Sequence, residues 1–313
     1  MKPARGIRAN STRYYIVYLL DWEPLSPVLS LPSSTLLSSA KISMGRSSYP
    51  PTILSMEVDG EDDSDYRILI HGRIRYVTIA PGTYDRGTLS MPLDSLPDFP
   101  RDESWNHAYI SRDNLTGDLK TSLTTRIFPG VNCIWHANLV DCLDLTKTRT
   151  ISPNAFEATC PLTKSGPQAT VIAKLARFEW EIPRIEQETQ AYKMLEQTGL
   201  APQFLGHIHE HGRVVGFVLE KLEGSHGGIE DLSVCKALLQ RFHGLGLLHG
   251  DVNRYNFIIQ QGSAKLIDFE RSRYCPREDE AMNAEMNSLS EQLMEDTGRG
   301  AGIIFKEIDA DGN

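Results

Sequence analysis

The stretch His249-Gly-Asp251-Val-Asn253-Arg254-Tyr255-Asn256, followed by Leu266-Ile-Asp268-Phe269-Glu270, decides how the rest of the chain is read. The order is a short apolar strand, a polar loop, a hairpin around Gly262, and an Asp at the end of the returning strand. Phosphoryl transfer from a nucleotide needs an Asp beside the acceptor hydroxyl, to orient it and take its proton. It also needs oxygen ligands for a divalent cation that neutralises charge building on the phosphates. Asp251 and Asn256 share one loop, so the loop can place one at the acceptor and the other at the metal. The hairpin then returns Asp268 to the same place.

Upstream, Lys174 sits inside an apolar strand, Val171-Ile-Ala-Lys174-Leu-Ala-Arg-Phe178. A buried Lys needs a partner. Pro183 suits the first turn of a helix, and Ile185, Thr189, Tyr192 and Leu195 then recur at helical spacing. Glu188 lies on that helix and is the acid expected to pair with Lys174, aiming its ammonium at nucleotide phosphates.

These positions, in this order, resemble the protein-kinase-like superfamily over roughly residues 168–295. The run from Glu188 through LLHGDVNRYN to LIDFE is similar, more closely, to a group of fungal kinase-like proteins of largely unassigned substrate. Some of those carry glycosidase-type names, but no pair of opposed carboxylates here supports glycoside hydrolysis. The resemblance implies ATP and Mg2+ as cofactors. Asp251 would be the catalytic base, Asn256 and Asp268 would hold magnesium, and Lys174 with Glu188 would anchor the phosphates. Glu220–Leu222 would be the hinge whose backbone bonds the adenine edge, with Leu219 guarding the pocket behind it.

Four departures from the pattern stand out. No G-x-G-x-x-G precedes Lys174, so the phosphate-covering loop is atypical or missing. Asn253 replaces the usual Lys after the catalytic Asp, with Arg254 beside it as a substitute. Glu270 replaces the Gly of D-F-G, as in choline-kinase-like small-molecule phosphotransferases. Only 43 residues follow Glu270, with no A-P-E motif, which implies a short peptide-docking half.

Composition frames the remainder. The 313 residues carry a net charge of −9, which argues against a dedicated nucleic-acid binder. The longest strictly apolar run is Tyr14–Leu20, far below the ~20 residues of a spanning helix. Five dispersed cysteines without C-x-x-C read as reduced thiols of the cytosol or nucleus. Residues 1–65 read as a tail rich in Ser and Pro with an acidic loop at 57–65, and 66–160 as a β-rich extension of the first lobe. Within it, a hairpin is expected around His71-Gly72, irregular chain at 92–130, and strand-like pieces at 131–135, 138–143 and 155–160. Residues 161–220 read as the core of the first lobe, 221–300 as a short helical lobe, and 301–313 as a tail. His207, His209 and His211 alternate on one strand face and read as solvated imidazoles at a hairpin edge. Trp105 and Trp135 read as core packing.

The expected architecture is therefore α+β, a two-lobed protein-kinase-like fold with a shortened C-terminal lobe. The expected activity is an ATP- and magnesium-dependent phosphotransferase acting on a hydroxyl, a protein Ser/Thr first and a small molecule second. Its partner is thus a protein or small-molecule hydroxyl acceptor, with no nucleic acid and no membrane, in the cytoplasm or nucleus. A nucleotide-binding pseudokinase serving as an interaction module is the alternative from another class. The sequence leaves the oligomeric state open.

Overall fold

β1 (Thr52–Glu57) pairs antiparallel with β2 (Ser64–Ile70), and β2 with β3 (Arg73–Ile79) through His71 and Gly72. Both turn residues take left-handed backbone, φ 52° and 74°, which matches the twist of the flanking strands. A short helix α1 (Arg86–Ser90), capped by the Asp85 carboxylate on Thr88 N, lies in the crossover to β4 (His107–Arg112). β4 runs parallel to β3, and β5 (Leu119–Thr124) closes a five-stranded sheet. Tyr66, Ile68, Ile70, Val77, Ile79, Ala108 and Ile110 pack with Leu89 and Trp105 into a core belonging to these residues.

The computed structural model describes residues 51–162, 167–275 and 280–298. It divides between Arg126 and Ile127 into two compact units. The second unit carries a six-stranded sheet in the order β6-β10-β11-β9-β8-β7. Its strands are β6 (Leu139–Asp141), β7 (Thr146–Ser152), β8 (Ala155–Pro161), β9 (Gln168–Leu175), β10 (Phe204–Glu210) and β11 (Arg213–Glu220). Between β9 and β10 lies helix α2 (Ile182–Leu195), with Pro183 in its first turn and Ile185, Glu188, Thr189, Tyr192 and Leu195 buried.

After β11 the chain forms β12 (Ser225–His226), α3 (Leu232–Gly244) and β13 (Leu247–Leu248). The hairpin β14 (Phe257–Gln260) and β15 (Ser263–Leu266) follows, then β16 (Arg273–Tyr274) and α4 (Glu280–Met294). One apolar core runs from the sheet (Val171, Ala173, Phe217) through α2 (Ile185, Tyr192) to α3 and α4 (Leu238, Phe242, Leu289). The fold is α+β, with a β-rich lobe carrying α2 and a helical lobe carrying α3 and α4.

Several expectations need correction. Residues 52–57 are β1 of the first sheet and not a tail, and the acidic stretch 58–63 forms the loop between β1 and β2. The stretch 66–160 is not one extension: β2–β5 belong to the first unit, whereas β6–β8 complete the sheet that holds Lys174. β4 and β5 occupy chain expected to be irregular, because their short alternation is flanked by Pro, Asp and Gly. Val131–Trp135 forms no strand, since Ile134 N turns back to donate to the Asn132 carbonyl at 2.9 Å, and β7 has no apolar signal because its Thr, Lys and Arg are solvent-facing. His207 is wholly buried and not a solvated edge residue. β10 is an interior strand because β6 pairs with it in parallel from far upstream, a contact with no local signal. The N-terminal segment 1–50 and the tail 301–313 lie outside the described residues.

Candidate active site

Lys174 is the centre of the site. Its ammonium lies 2.7 Å from Glu188 Oε2, 2.5 Å from Asp268 Oδ1 and 3.7 Å from Glu270 Oε2. The strand, the helix and the Asp after the hairpin thus converge on one cation, as the sequence spacing leads one to expect. Burial alone would lower the Lys174 pKa, but the charges of Glu188, Asp268 and Glu270 outweigh it and raise it. Burial pushes the Glu188 carboxyl up to about 7, with Lys174 pulling the other way. One positive charge faces three carboxylates, so the cluster carries a negative excess that favours a further cation.

Asp268 adopts φ +65°, a left-handed conformation rare for a side chain larger than Gly and held only where the surroundings fix it. They do so through the next residue. Phe269 N donates to Glu188 Oε1 at 3.2 Å. The Phe269 ring is fully buried, with ring centroids 5.1 Å from Tyr192, 5.6 Å from Phe242 and 5.4 Å from His249. Rings from α2, α3 and the 249–256 loop therefore clamp the residue that follows Asp268. Burial raises the Tyr192 hydroxyl pKa well above its ordinary value.

The loop 249–256 is braced from within and from α4. Asn256 Nδ2 donates to the Asp251 carbonyl at 2.8 Å, and Ile267 N donates to the Asn256 carbonyl at 3.0 Å. This ties the loop to the strand that carries Asp268, and leaves Asn256 Oδ1 without a hydrogen bond among the described residues. His249 Nε2 donates to the Ile267 carbonyl at 3.1 Å, and burial lowers its pKa. It is a brace and not an exposed acid or base. Asn253 spends its side chain on Tyr255 N and the Asp251 carbonyl. Arg254, beside Asn253, donates through its guanidinium to the Glu295 carbonyl at 3.2 Å. The guanidinium nearest Asp251 is that of Arg271, 3.8 Å away.

Gly250 has φ +80°, and a Cβ there would meet the Arg271 carbonyl at 2.4 Å, so no other residue fits. Its N–H donates to Glu285 Oε1 at 2.7 Å, while His249 N and His243 Nε2 donate to Glu285 Oε2 at 3.2 and 2.7 Å. Burial alone would raise the Glu285 pKa, but these donors outweigh it and hold it low. Glu285 is a positioning residue that the sequence reading missed. The signal was present: Glu285 stands three after Met282 and four before Leu289, a carboxylate on the buried stripe of α4.

The expected hinge, Glu220–Leu222, follows β11. Glu220 N donates to the Gln203 carbonyl at 2.9 Å, and its carboxylate accepts from Gln203 N and Lys265. No hydrogen bond within the described residues uses the Leu222 N–H. β7 and β8 form a tight hairpin through Pro153-Asn154, with Ala155 in register with Lys174 and Leu175 N donating to the Asn154 carbonyl at 2.9 Å. Ser152 Oγ donates to Asn154 Oδ1 at 2.8 Å and stiffens the turn.

A family profile described as the lipopolysaccharide kinase (Kdo/WaaP) family matches residues 230–307. Over that span the chain is kinase-like. The match is a quarter of the chain and takes in the 249–256 loop, Asp268, Glu270 and Glu285, but neither Lys174 nor Glu188. No curated protein matches the chain. The similarity supports a kinase-like phosphotransferase in general terms. Among the described residues, no helix is long and apolar enough to cross a membrane.

Proposed function

We propose that the protein is an ATP- and magnesium-dependent phosphotransferase that moves a γ-phosphoryl group to a hydroxyl acceptor. One observation carries this reading: Lys174 bonds Glu188 and Asp268 at once, while Asn256 is pinned to Asp251 on the facing loop. Bound MgATP supplies the phosphoryl group and a cation that spreads its charge. Asp268 Oδ2 and Asn256 Oδ1 are the oxygens left to hold that cation. Among the described residues no three His, Cys, Asp or Glu side chains are placed to hold a metal unaided. That fits magnesium, which takes one or two protein ligands plus phosphate oxygens and water. Lys174, steadied by Glu188, faces the α- and β-phosphates, and the Leu222 N–H meets the adenine edge. Asp251 receives the proton of the acceptor hydroxyl.

For the acceptor, a protein Ser/Thr hydroxyl follows from the wider resemblance. A small-molecule hydroxyl, a sugar in particular, is the second reading, favoured by two observations. Only nine residues separate Glu270 from α4, too few for a long peptide-docking segment, and the matching family is described as a lipopolysaccharide kinase family.

The test is phosphate transfer from ATP with and without magnesium, with wild type and Asp251→Asn, offering Ser/Thr peptides and sugar acceptors in parallel. Loss of a general base lowers the rate by about 10²–10⁴-fold with nucleotide affinity nearly unchanged. A wild type that binds MgATP and never turns over would show a pseudokinase. Turnover that survives Asp251→Asn would move the chemistry to another residue.

A further inference from the structure

Three successive residues of α2 reach in three directions, as the ~100° step of a helix requires. Glu188 points to Lys174 and Phe269 N. Gln187 donates through Nε2 to the Ser272 carbonyl, just past Asp268. Glu186 points away from Lys174, and its Oε2 accepts from Asn132 N at 2.5 Å and Cys133 N at 3.4 Å. Gln190, one turn on, donates to Glu186 Oε1 at 2.8 Å and fixes the rotamer.

The segment that Glu186 holds is itself firmly seated. Val131 is buried and donates its N–H to the Val214 carbonyl at 2.9 Å. Trp135 N and His136 N both donate to His207 Nε2 at 3.2 Å. His207 must therefore be neutral there, and burial beside His136 lowers its pKa to about 4. The Trp135 ring lies 4.6 Å from Phe204, which in turn packs 6.0 Å from Tyr192 of α2. Asn138 Nδ2 donates to the Leu205 carbonyl at 2.8 Å, an approach that only Gly206 permits, since a Cβ there would lie 2.7 Å from that nitrogen. Residues 131–138 thus bind α2 on one side and β10 on the other.

We infer that Glu186 is a positioning residue for the Lys174–Glu188 pair: it ties α2 to the strap 131–138, so that the helix cannot rotate Glu188 away from Lys174 without releasing the strap. The geometry is coupled. Rotation of α2 about its axis breaks the Glu186, Gln187 and Glu188 contacts together, so each contact stabilises the other two. The chain leaves β5 at Thr124 and enters the strap within a few residues, so the first unit is joined covalently to the element that sets the helix. The inference rests on the proposed phosphotransferase reading for its consequence at the nucleotide, but not for the strap itself.

Two measurements on the full chain separate these. The first is amide hydrogen exchange over 131–136 and over α2 in wild type, Glu186→Ala, Glu186→Gln and Asn132→Pro. The last variant removes the partner N–H from outside the helix, so it tests the same bond if Glu186→Ala unfolds. The second is titration with a non-hydrolysable ATP analogue and magnesium. Glu186→Ala and Asn132→Pro are expected to speed exchange in the strap and in α2 alike, and to weaken analogue affinity roughly tenfold. Glu186→Gln, which keeps an acceptor oxygen, should restore most of both. Faster exchange confined to 131–136, or no change in α2, would overturn the inference. If wild type binds no analogue, the phosphotransferase reading fails, and exchange in α2 still decides whether the strap holds the helix.

Discussion

At the scale of single residues, Lys174 is the side chain on which most depends. It is nine-tenths buried, and its ammonium is the only cation within reach of Glu188, Asp268 and Glu270 among the described residues. A buried ion pair contributes little over a well-packed apolar pair, but removing one partner strands the other charge. Lys174→Met is therefore expected to lower stability by about 3–5 kcal/mol, since it leaves carboxylates buried without a counter-charge. Adding Glu188→Gln should return more than half of that loss, because the two residues act as one unit. Urea unfolding of the two single variants, the double variant and wild type gives the comparison. A Lys174→Met loss below about 1 kcal/mol would show that solvent, and not the pair, sets the charge balance there. This pairing was legible in the sequence because a Lys in an apolar strand and an acid at a fixed helical offset are both local patterns. The approach of Glu270 was not, because it depends on the left-handed turn at Asp268, which no spacing announces.

Among the elements, α4 braces the loop 249–256, which carries the proposed base Asp251, through Glu285. Glu285 accepts from two loop N–H groups and from His243, so its pKa lies below the ordinary 4.5. A carboxyl with a depressed folded pKa adds stability that is present above its unfolded value and is lost as pH falls through the folded one. Glu285→Gln should thus be less stable than wild type at neutral pH by about 1.5–3 kcal/mol, the range of hydrogen bonds to a charged group. The gap should narrow once pH drops below 4.5, where wild type loses the same charge. Unfolding midpoints at pH 7 and pH 4 test the sign; a gap that stays constant would mean that Glu285 acts by shape and not by charge. The elements themselves were largely legible. β9, α2, β10, β11, α3 and the β14–β15 hairpin follow from apolar periodicity and from turn residues at Gly212 and Gly262. β7 was not, because its Thr, Lys and Arg side chains face solvent. β6 was read as a strand-like piece, but neither its parallel partner β10 nor the strap's contacts with α2 and His207 had any local signal, because those partners lie far along the chain.

For the whole molecule, the division between Arg126 and Ile127 gives two sets of buried side chains, one around Tyr66, Ile68 and Trp105 and one around Val171, Phe217 and Phe242. The sequence did not show this boundary. The chain on either side is β-rich, and Pro129-Gly130 at the change of sheet does not stand out from the other Pro and Gly of 92–130. Two cores unfold as two cooperative blocks unless a large shared surface joins them. A ligand that binds one folded block stabilises that block alone, by about 2.7 kcal/mol at a hundred times Kd. Calorimetry of the full chain should accordingly show two transitions. A non-hydrolysable ATP analogue with magnesium should raise one of them by roughly 5–10 °C and leave the other in place. Tryptophan emission can assign them, because Trp105 is buried in the first core and Trp135 packs against Phe204 in the second unit. The shifted transition should be the one that Trp135 reports. In Asp268→Ala the magnesium dependence of the shift should vanish, since that carboxylate is the main protein ligand proposed for the cation, while analogue alone still gives a smaller rise. A rise that tracks Trp105 would place the nucleotide in the first unit and remove Lys174 from its binding.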